Sequence, residues 1–371
     1  MNREYWRHFD FWLFGSVVFL SMFGIAMIRS AIAGNIVLSD LVNRQIIFFV
    51  LGLVVLIGAA LIDYRYWASL TRVMYVFAVG FLVVIFVVGT ARFGSARWLD
   101  TGLILIQPSE VAKIIMIIVL AGFFSSQNNE PHNIQWIIRS FALTMGVVIW
   151  IILQPNLSTS IVIMVIWFSM LWINGIPIKY LVIFIGLGII LGAIAFPFLE
   201  DYQKLRILNF IFPDPTARHG NTYNVDQALI TIGSGGWFGQ GYGHSSQVQL
   251  RFLKVRHTDF IFSAMAAEFG FIGTLVVIGL EIFVIIRCFR TSQLATDHFG
   301  SMIAYGFAVL FAFQTAVNIG VNLNVIPVTG LTLPFVSYGG SSLLSLVLGI
   351  GLVESVAARR KPLEAKFGDI Q

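Results

Sequence analysis

Ten apolar stretches recur along this chain, near 11–28, 46–62, 73–90, 108–124, 140–153, 158–175, 180–199, 259–286, 301–321 and 340–356. A helical crossing of a bilayer needs about 20 apolar residues, and a helix satisfies every backbone polar group within its own segment. The run 114–124 is short alone and borrows its start from Gln107-Pro108-Ser109-Glu110. Proline suits a first helical turn, because its missing N–H would be unpaired there anyway. Charge content excludes a soluble alternative. Asp, Glu, Lys and Arg make up 11% of the 371 residues, against about 25% in soluble domains, while 58% are apolar and 34 are Phe. The fold class is therefore an all-α integral membrane protein: one polytopic domain over 1–371, about ten transmembrane helices, and a long extracytoplasmic loop, about 200–258, between helices seven and eight.

Orientation follows from Lys and Arg, which favour cytoplasmic loops. Ten spans put both ends on one side. Twelve cations fall on that side, among them Arg3, Arg7, Arg65, Arg72, Arg287 and Arg359, whereas the opposite short loops hold only Arg29, Arg44, Arg92 and Arg97. Both termini are expected to be cytoplasmic and 200–258 to lie outside. The first apolar run is too long for a signal-peptide core, so a retained first helix is expected. The net charge of +5 has no basic stripe behind it, which argues against nucleic acid. The single Cys288 excludes an intramolecular disulfide and a multi-thiolate metal site.

The 200–258 loop is rich in glycine, as in Gly233-Ser234-Gly235-Gly236 and Gly239-Gln240-Gly241-Tyr242-Gly243. Such density permits turns and close backbone approach, and a short helix is expected near Val225–Ile232. His219, His244 and His257 match no metal-ligand spacing.

A charge in the bilayer core costs about 2.5–3.5 kcal/mol on insertion scales, so each one needs a partner or a wet cavity. Glu110 and Lys113 are three apart and share a helix face, which suits either a structural ion pair or a ligand contact. Glu281, near Arg287, reads as a snorkelling surface residue. Asp259 stands where the loop meets span eight, and suits either a general base or a helix N-cap. Arg44, Arg97, Lys204, Arg206, Arg251, Lys254 and Arg256 form a cationic fringe. That fringe fits anionic headgroups or, since Arg forks match phosphate oxygens, a pyrophosphate. Trp98 fits an interfacial aromatic belt. These residues support two classes: an enzyme acting on a lipid-linked anionic substrate, or a transporter.

Four motifs then carry a resemblance. Arg97-Trp98-Leu99 with Gln107-Pro108-Ser109-Glu110-Val-Ala-Lys113, Ile232-Gly-Ser-Gly-Gly236, His257-Thr-Asp-Phe-Ile-Phe262 with Glu268, and Pro334-Phe-Val-Ser-Tyr-Gly-Gly-Ser341 resemble, in order, the SEDS family (shape, elongation, division and sporulation). The likeness runs from about residue 10 to 358 and is nearer its RodA than its FtsW members. It implies a peptidoglycan glycosyltransferase polymerising lipid II at the outer face of the bacterial cytoplasmic membrane, during elongation or division. Asp259 would be the catalytic carboxylate, with Arg44, Arg97, Trp98, Glu110, Lys113, Arg206, His257 and Ser341 binding substrate. A divalent cation (Mg or Mn) is the one cofactor this leaves room for. Lipid II translocation is the alternative reading.

The same resemblance implies a class B penicillin-binding protein as partner, alongside membrane lipids. Phe260, Phe262, Phe307, Phe311 and Phe313 on spans eight and nine are expected to offer that partner aromatic ridges. Two departures stand out. Where the family has Gln-Pro-Asp-Leu-Gly-Thr this chain has Gln154-Pro-Asn156-Leu-Ser158-Thr159, and where it has Leu-Pro-Glu, Leu253-Lys254-Val255.

Overall fold

The computed structural model describes residues 8–35, 38–88, 90–92, 95–100, 105–126, 134–213 and 221–360. Ten long helices carry it: α1 (Phe11–Ala31), α2 (Asp40–Leu61), α3 (Arg65–Val88), α4 (Pro108–Ser126), α5 (Ile134–Leu153), α6 (Leu157–Ile173), α7 (Ile178–Ala195), and then α11 (Ile261–Leu294), α12 (His298–Asn322) and α13 (Gly340–Ala358). Between α7 and α11 lie α8 (Asp201–Ile211), α9 (Asn221–Ser234), which covers the helix expected near 225–232, and α10 (Ser246–Gln249). Eight of the long helices are long and apolar enough to cross a membrane, and α6 and α7 are shorter apolar helices. The expected ten-helix, all-α membrane architecture is what folds. The α3–α4 connection adds a small antiparallel ribbon, β1 (Thr90–Arg92), β2 (Ser95–Asp100) and β3 (Leu105–Ile106), in which Thr90 pairs with Trp98 and Leu99 with Ile106.

Helices α4, α12 and α13 form the centre. In α13, 83% of the most apolar window is inside the bundle, against 17% in α3. The outward side chains of α7, such as Val182, Ile183, Ile190 and Ile194, are exposed and uniformly apolar, as a lipid-facing helix requires. The central helices approach closely through small residues, which is how apolar helices gain packing in lipid. A Cβ on Gly351 of α13 would lie 2.5 Å from the Leu56 carbonyl oxygen and 2.8 Å from Ala59 Cβ of α2.

Helix α11 is broken at Gly270, whose φ of 68° and ψ of −169° lie in a region that is essentially glycine-only. The glycine-rich loop fills that break. Gln240 N–H donates to the Ala267 carbonyl at 2.9 Å, Gly241 N–H to Glu268 at 3.0 Å, and in return Phe271 N–H donates to Gly236 at 2.9 Å. The close backbone approach expected of those glycines is made to the protein's own helix.

The loop also covers the C-terminus of α1. Gln249 donates to the Ser30 carbonyl, Arg256 to Ala31 and Arg251 to Gly34, satisfying carbonyls that a helix end leaves orphaned. Arg251 and Arg256, expected in the cationic fringe, are therefore engaged in fixing the fold.

Two expectations are corrected. Glu281 does not snorkel: it is buried at 1% exposure, with Thr315 Oγ1 3.5 Å away. Arg287 is occupied elsewhere, bridging to Asp10 of α1, with Nε at 2.7 Å. Phe260, Phe262, Phe307 and Phe311 are not outward ridges but core, each under 5% exposed, with Phe307 stacked on Phe311 and Phe311 tilted against Phe335. These rings face neighbouring elements because the first turns of α11 and most of α12 sit inside the bundle.

At the end of the bundle remote from the 200–258 loop, ion pairs tie the chain together. Arg359 meets Asp63 at 3.3 Å and Arg65 meets Asp297 at 3.6 Å, while Asp10 N–H donates to Glu354 Oε2 at 2.9 Å.

Gly351→Ala is expected to lower thermal stability in detergent by about 1–3 kcal/mol, because the added methyl meets backbone that cannot step aside. Gly58→Ala in α2, where an added Cβ meets nothing within 4 Å, is the control and should be neutral or stabilising. Melting curves of the two variants, side by side, decide it.

Candidate active site

Asp259 sits just before α11, half-buried, at the end of a tight turn. Val255 holds a φ of 52°, strained for a β-branched residue. Its carbonyl accepts from Thr258 N–H at 3.2 Å, which turns the chain to present residues 257–259. The alternative of a helix cap is not realised: the N-cap of α11 is Phe260, with no side-chain cap bond.

Across from Asp259 lies the non-helical stretch between α12 and α13. At Gly330 (φ 80°) a Cβ would stand 3.9 Å from both Asp259 Oδ2 and Arg206 Nη1, so carboxylate and guanidinium converge on one glycine. Arg206, on α8, is held by the carbonyls of Val328 at 3.4 Å and Thr329 at 3.3 Å, and lies over the Tyr202 ring. Burial pushes the Asp259 carboxyl up to about 6, against the opposing pull of Arg206. A carboxylate poised near neutrality, beside a cation, is suited to proton abstraction.

The Pro334–Ser341 motif wraps the His257-Thr258-Asp259 turn. Tyr338 N–H donates to the His257 carbonyl at 2.9 Å and Ser337 Oγ to the Thr258 carbonyl at 2.8 Å. The His257 imidazole packs near the Tyr338 ring, and burial first, then Arg256, holds it below its usual pKa, so it is neutral at neutral pH. Arg44 is exposed on α2, within electrostatic reach of the Tyr338 hydroxyl.

Ser341 Oγ accepts from Gln107 N–H at 3.2 Å and thereby joins α13 to the start of α4. One turn further, Glu110 and Lys113 do pair, at 2.9 Å and both buried, with Ser345 of α13 donating to Glu110 at 3.3 Å. Among the described residues no contact links this pair to the Asp259 carboxylate. Arg97 and Trp98 lie on β2. His219 lies outside the described residues.

Both departures in the 154–159 motif have local roles. Asn156 caps α6, its Oδ1 accepting from Thr159 N–H at 3.3 Å, while its Nδ2 donates to Ser109 Oγ at 3.1 Å. Ser158 Oγ donates to the Thr329 carbonyl at 2.5 Å, on the segment that seats Arg206.

Asn318 and Asn322 of α12 escaped the sequence reading, yet both donate to the Asp259 carbonyl, at 3.1 and 2.9 Å. Their signal was available: two amides at i and i+4 on one face, at the end of a largely apolar helix.

No group of three His, Cys, Asp or Glu side chains among the described residues could hold a metal ion. Beside Gly330 the donor set is one carboxylate next to a guanidinium, which repels a cation. That set does not fit a divalent ion, and no step is derived through one.

The profile of the family FTSW_RODA_SPOVE, cell cycle protein, matches residues 6–362. The chain is 35% identical over 358 residues to a probable peptidoglycan glycosyltransferase FtsW of Hydrogenovibrio crunogenus, covering 93% of this chain and 90% of that protein. It is 33% identical over 369 residues to the peptidoglycan glycosyltransferase MrdB of Escherichia coli K12, covering 98% and 97%. Among solved structures, a chain of a peptidoglycan synthase complex superposes with a TM-score of 0.80 at 29% identity, over 94% of this chain and 97% of that one. Thermus thermophilus rod shape determining protein RodA does so at 0.71, also at 29% identity, over 95% and 98%.

The buried Glu110–Lys113 pair carries its own prediction. Lys113→Met leaves an intramembrane carboxylate uncompensated and should cost about 3–5 kcal/mol. The double variant Glu110→Gln/Lys113→Met should recover most of the melting temperature. A single variant melting like the parent would show that the pair is incidental to the fold.

Proposed function

The chain belongs to the FtsW, RodA and SpoVE family, and on that premise we propose how it acts: it is a peptidoglycan glycosyltransferase that polymerises lipid II, with Asp259 as general base. The observation that carries the proposal is the meeting of Asp259 and Arg206 at Gly330, with the carboxyl raised by burial to about 6.

In this reading the 4-hydroxyl of the incoming GlcNAc attacks C1 of the MurNAc at the end of the growing strand. Asp259 takes the hydroxyl proton as the new C1–O bond forms. The C1–O bond to undecaprenyl pyrophosphate breaks, and the leaving group departs with the electron pair. An α-linked donor giving a β-linked product requires inversion, hence one in-line displacement and one base. Negative charge grows on the leaving pyrophosphate, so fixed cations there lower the barrier. Arg206 is the nearest of these to Asp259, and Arg44 and Arg97 are the further cations assigned to the substrate. Glu110 and Lys113 act at the α4–α13 junction, while His257 and Ser341 hold the neighbouring backbone and Trp98, on β2, is assigned to substrate binding.

The site lies at the 200–258 end of the bundle. The excess of Lys and Arg at the other end supports an extracytoplasmic site in the cytoplasmic membrane, with both termini inside. A peptidoglycan synthase complex among the structural relatives supports a crosslinking class B penicillin-binding protein as partner.

Asp259→Asn keeps size and removes the base. With the partner supplied, labelled lipid II should show polymer from the parent and a rate at least about 10²-fold lower from the variant, the scale of lost acid–base assistance. Equal polymer from both would remove Asp259 from the mechanism. Polymer from neither, with lipid II still crossing the membrane, would favour translocation. The parent rate should fall as pH drops through about 6, since a base must be ionised to act. Arg206→Gln should move that limb to higher pH, because the guanidinium is what opposes the rise.

Orientation is tested in a Cys288→Ser background. Ser246→Cys and Gln293→Cys, both at exposed positions, should react oppositely with an impermeant thiol reagent on intact cells. Ser246→Cys should label; labelling of Gln293→Cys alone would invert the topology.

A further inference from the structure

We infer that Asn318 and Asn322, one turn apart at the Asp259 end of α12, are positioning residues that fix where the Asp259 carboxylate stands relative to Arg206. The inference rests on Asp259 being the general base.

Both amides are buried, at 1% and 0% exposure, where an unpaired amide is costly. Their bonds show what they do. The Asn322 Nδ2 donates to the Asp259 carbonyl at 2.9 Å, while its Oδ1 accepts from Ser263 N–H at 3.1 Å and from Ser263 Oγ at 2.6 Å. Asp259 C=O and Ser263 N–H are the i and i+4 partners that an α-helix would bond directly. The Asn322 amide stands between them, donor to one and acceptor from the other. The ladder of α11 instead begins one residue later, with Ala264 N–H donating to the Phe260 carbonyl at 3.2 Å. Asp259 is thereby held out of the helix, with its backbone peptide still satisfied.

Asn318 connects this peptide to the opposite wall. Its Nδ2 is shared between the Asp259 carbonyl at 3.1 Å and the Leu331 carbonyl at 2.8 Å. Leu331 follows Gly330, where Asp259 and Arg206 converge, and Arg206 is seated on the carbonyls of Val328 and Thr329. One buried amide therefore spans the two backbone segments that carry the base and the seat of the cation. The Asn318 backbone carbonyl in turn accepts from Asn322 Nδ2 at 2.8 Å, and its side-chain Oδ1 lies 3.5 Å from the same nitrogen. Without them, Asp259 can join the α11 ladder and swing away from Arg206.

The test measures glycan polymerisation of labelled lipid II by the full chain with its partner, using Asn318→Leu and Asn322→Leu. Each leucine approximates the shape of the amide and removes its donor. Both variants should lose roughly 10²-fold in kcat, the scale of a 1 Å misplacement, with KM for lipid II little changed. The acid limb of their pH–rate profiles should move above that of the parent, because Asp259 has lost the opposing charge of Arg206. A purely structural role would lower the yield and melting temperature of folded protein but leave that limb in place. Should Asn318→Leu not be recovered folded, Asn318→Ser replaces it: its hydroxyl stops short of both carbonyls and leaves room for water. Folded variants with the parent limb position overturn the inference, whatever their kcat. Asp259→Asn, run alongside, separates the failures. If it is inactive while the asparagine variants match the parent, the clamp alone falls; if it matches the parent, the base and the clamp fall together.

Discussion

Backbone that leaves the helical state inside a bilayer has no water to bond, so its polar groups must be met by the protein. A like demand falls on the stretch between α12 and α13, where Leu331, Leu333, Phe335 and Val336 are all buried in the core outside any helix. Its polar groups are met from several other elements and from within the segment itself. Arg206 of α8 and Ser158 of α6 reach the Thr329 carbonyl, Asn318 of α12 reaches Leu331, and Ser337 accepts from Leu333 N–H. Tyr338 N–H goes to the His257 carbonyl and Gly339 N–H to Gln45 of α2. Satisfying this one segment brings α2, α6, α8, α12 and the 257–259 turn to a common point. The candidate active site is that point.

The two ends of the bundle manage charge differently. At one end carboxylates are matched with cations: Asp10 with Arg287, Asp63 with Arg359, Asp297 with Arg65. At the other end Arg206 gives its hydrogen bonds to carbonyls, and the Asp259 carboxylate accepts none among the described residues. A paired carboxylate is a weak base, held ionised by its cation. Leaving Asp259 near Arg206 without an ion pair keeps both charge and basicity available. Burial raises its proton affinity and the guanidinium tempers it, which places the group in the range where acid–base chemistry is efficient at neutral pH.

Much of this was legible in the sequence. Span count, the 225–232 helix, the Glu110–Lys113 pair and the prominence of Asp259 follow from length, hydropathy, i,i+3 spacing and a carboxylate beside an apolar run. What could not be read is which way an all-apolar helix faces. Phe307 and Phe311 look the same in sequence whether they meet lipid or the bundle, and here Phe307 lies against α13 and Phe311 against Phe335. Glu281 was misplaced for the same reason: its distance along the chain from Arg287 suggested a shared surface, but Arg287 turns to Asp10 of α1. The i,i+4 spacing of Asn318 and Asn322 is visible in the sequence, but their tie to Asp259 is not, because it runs through a backbone carbonyl and no residue type announces an orphaned carbonyl. Arg251 and Arg256 looked like ligand groups because a helix C-terminus, like a phosphate, presents oxygen acceptors with negative character.

Asn156 shows how such a structure divides labour. The resemblance to the SEDS family leads one to expect an aspartate at this place, and an amide cannot carry its charge. The capping bond to Thr159 N–H needs only an oxygen, which Asn and Asp supply equally. The second bond, from Nδ2 to Ser109 Oγ, is one that an ionised aspartate could only accept. Ser109 immediately precedes Glu110, so a carboxylate here would add a second anion beside a pair that is buried and already balanced by Lys113. The amide avoids that repulsion and still ties α6 to α4. In this chain the junction is therefore held by neutral hydrogen bonds, and under the proposed mechanism the carboxylate chemistry falls to Asp259.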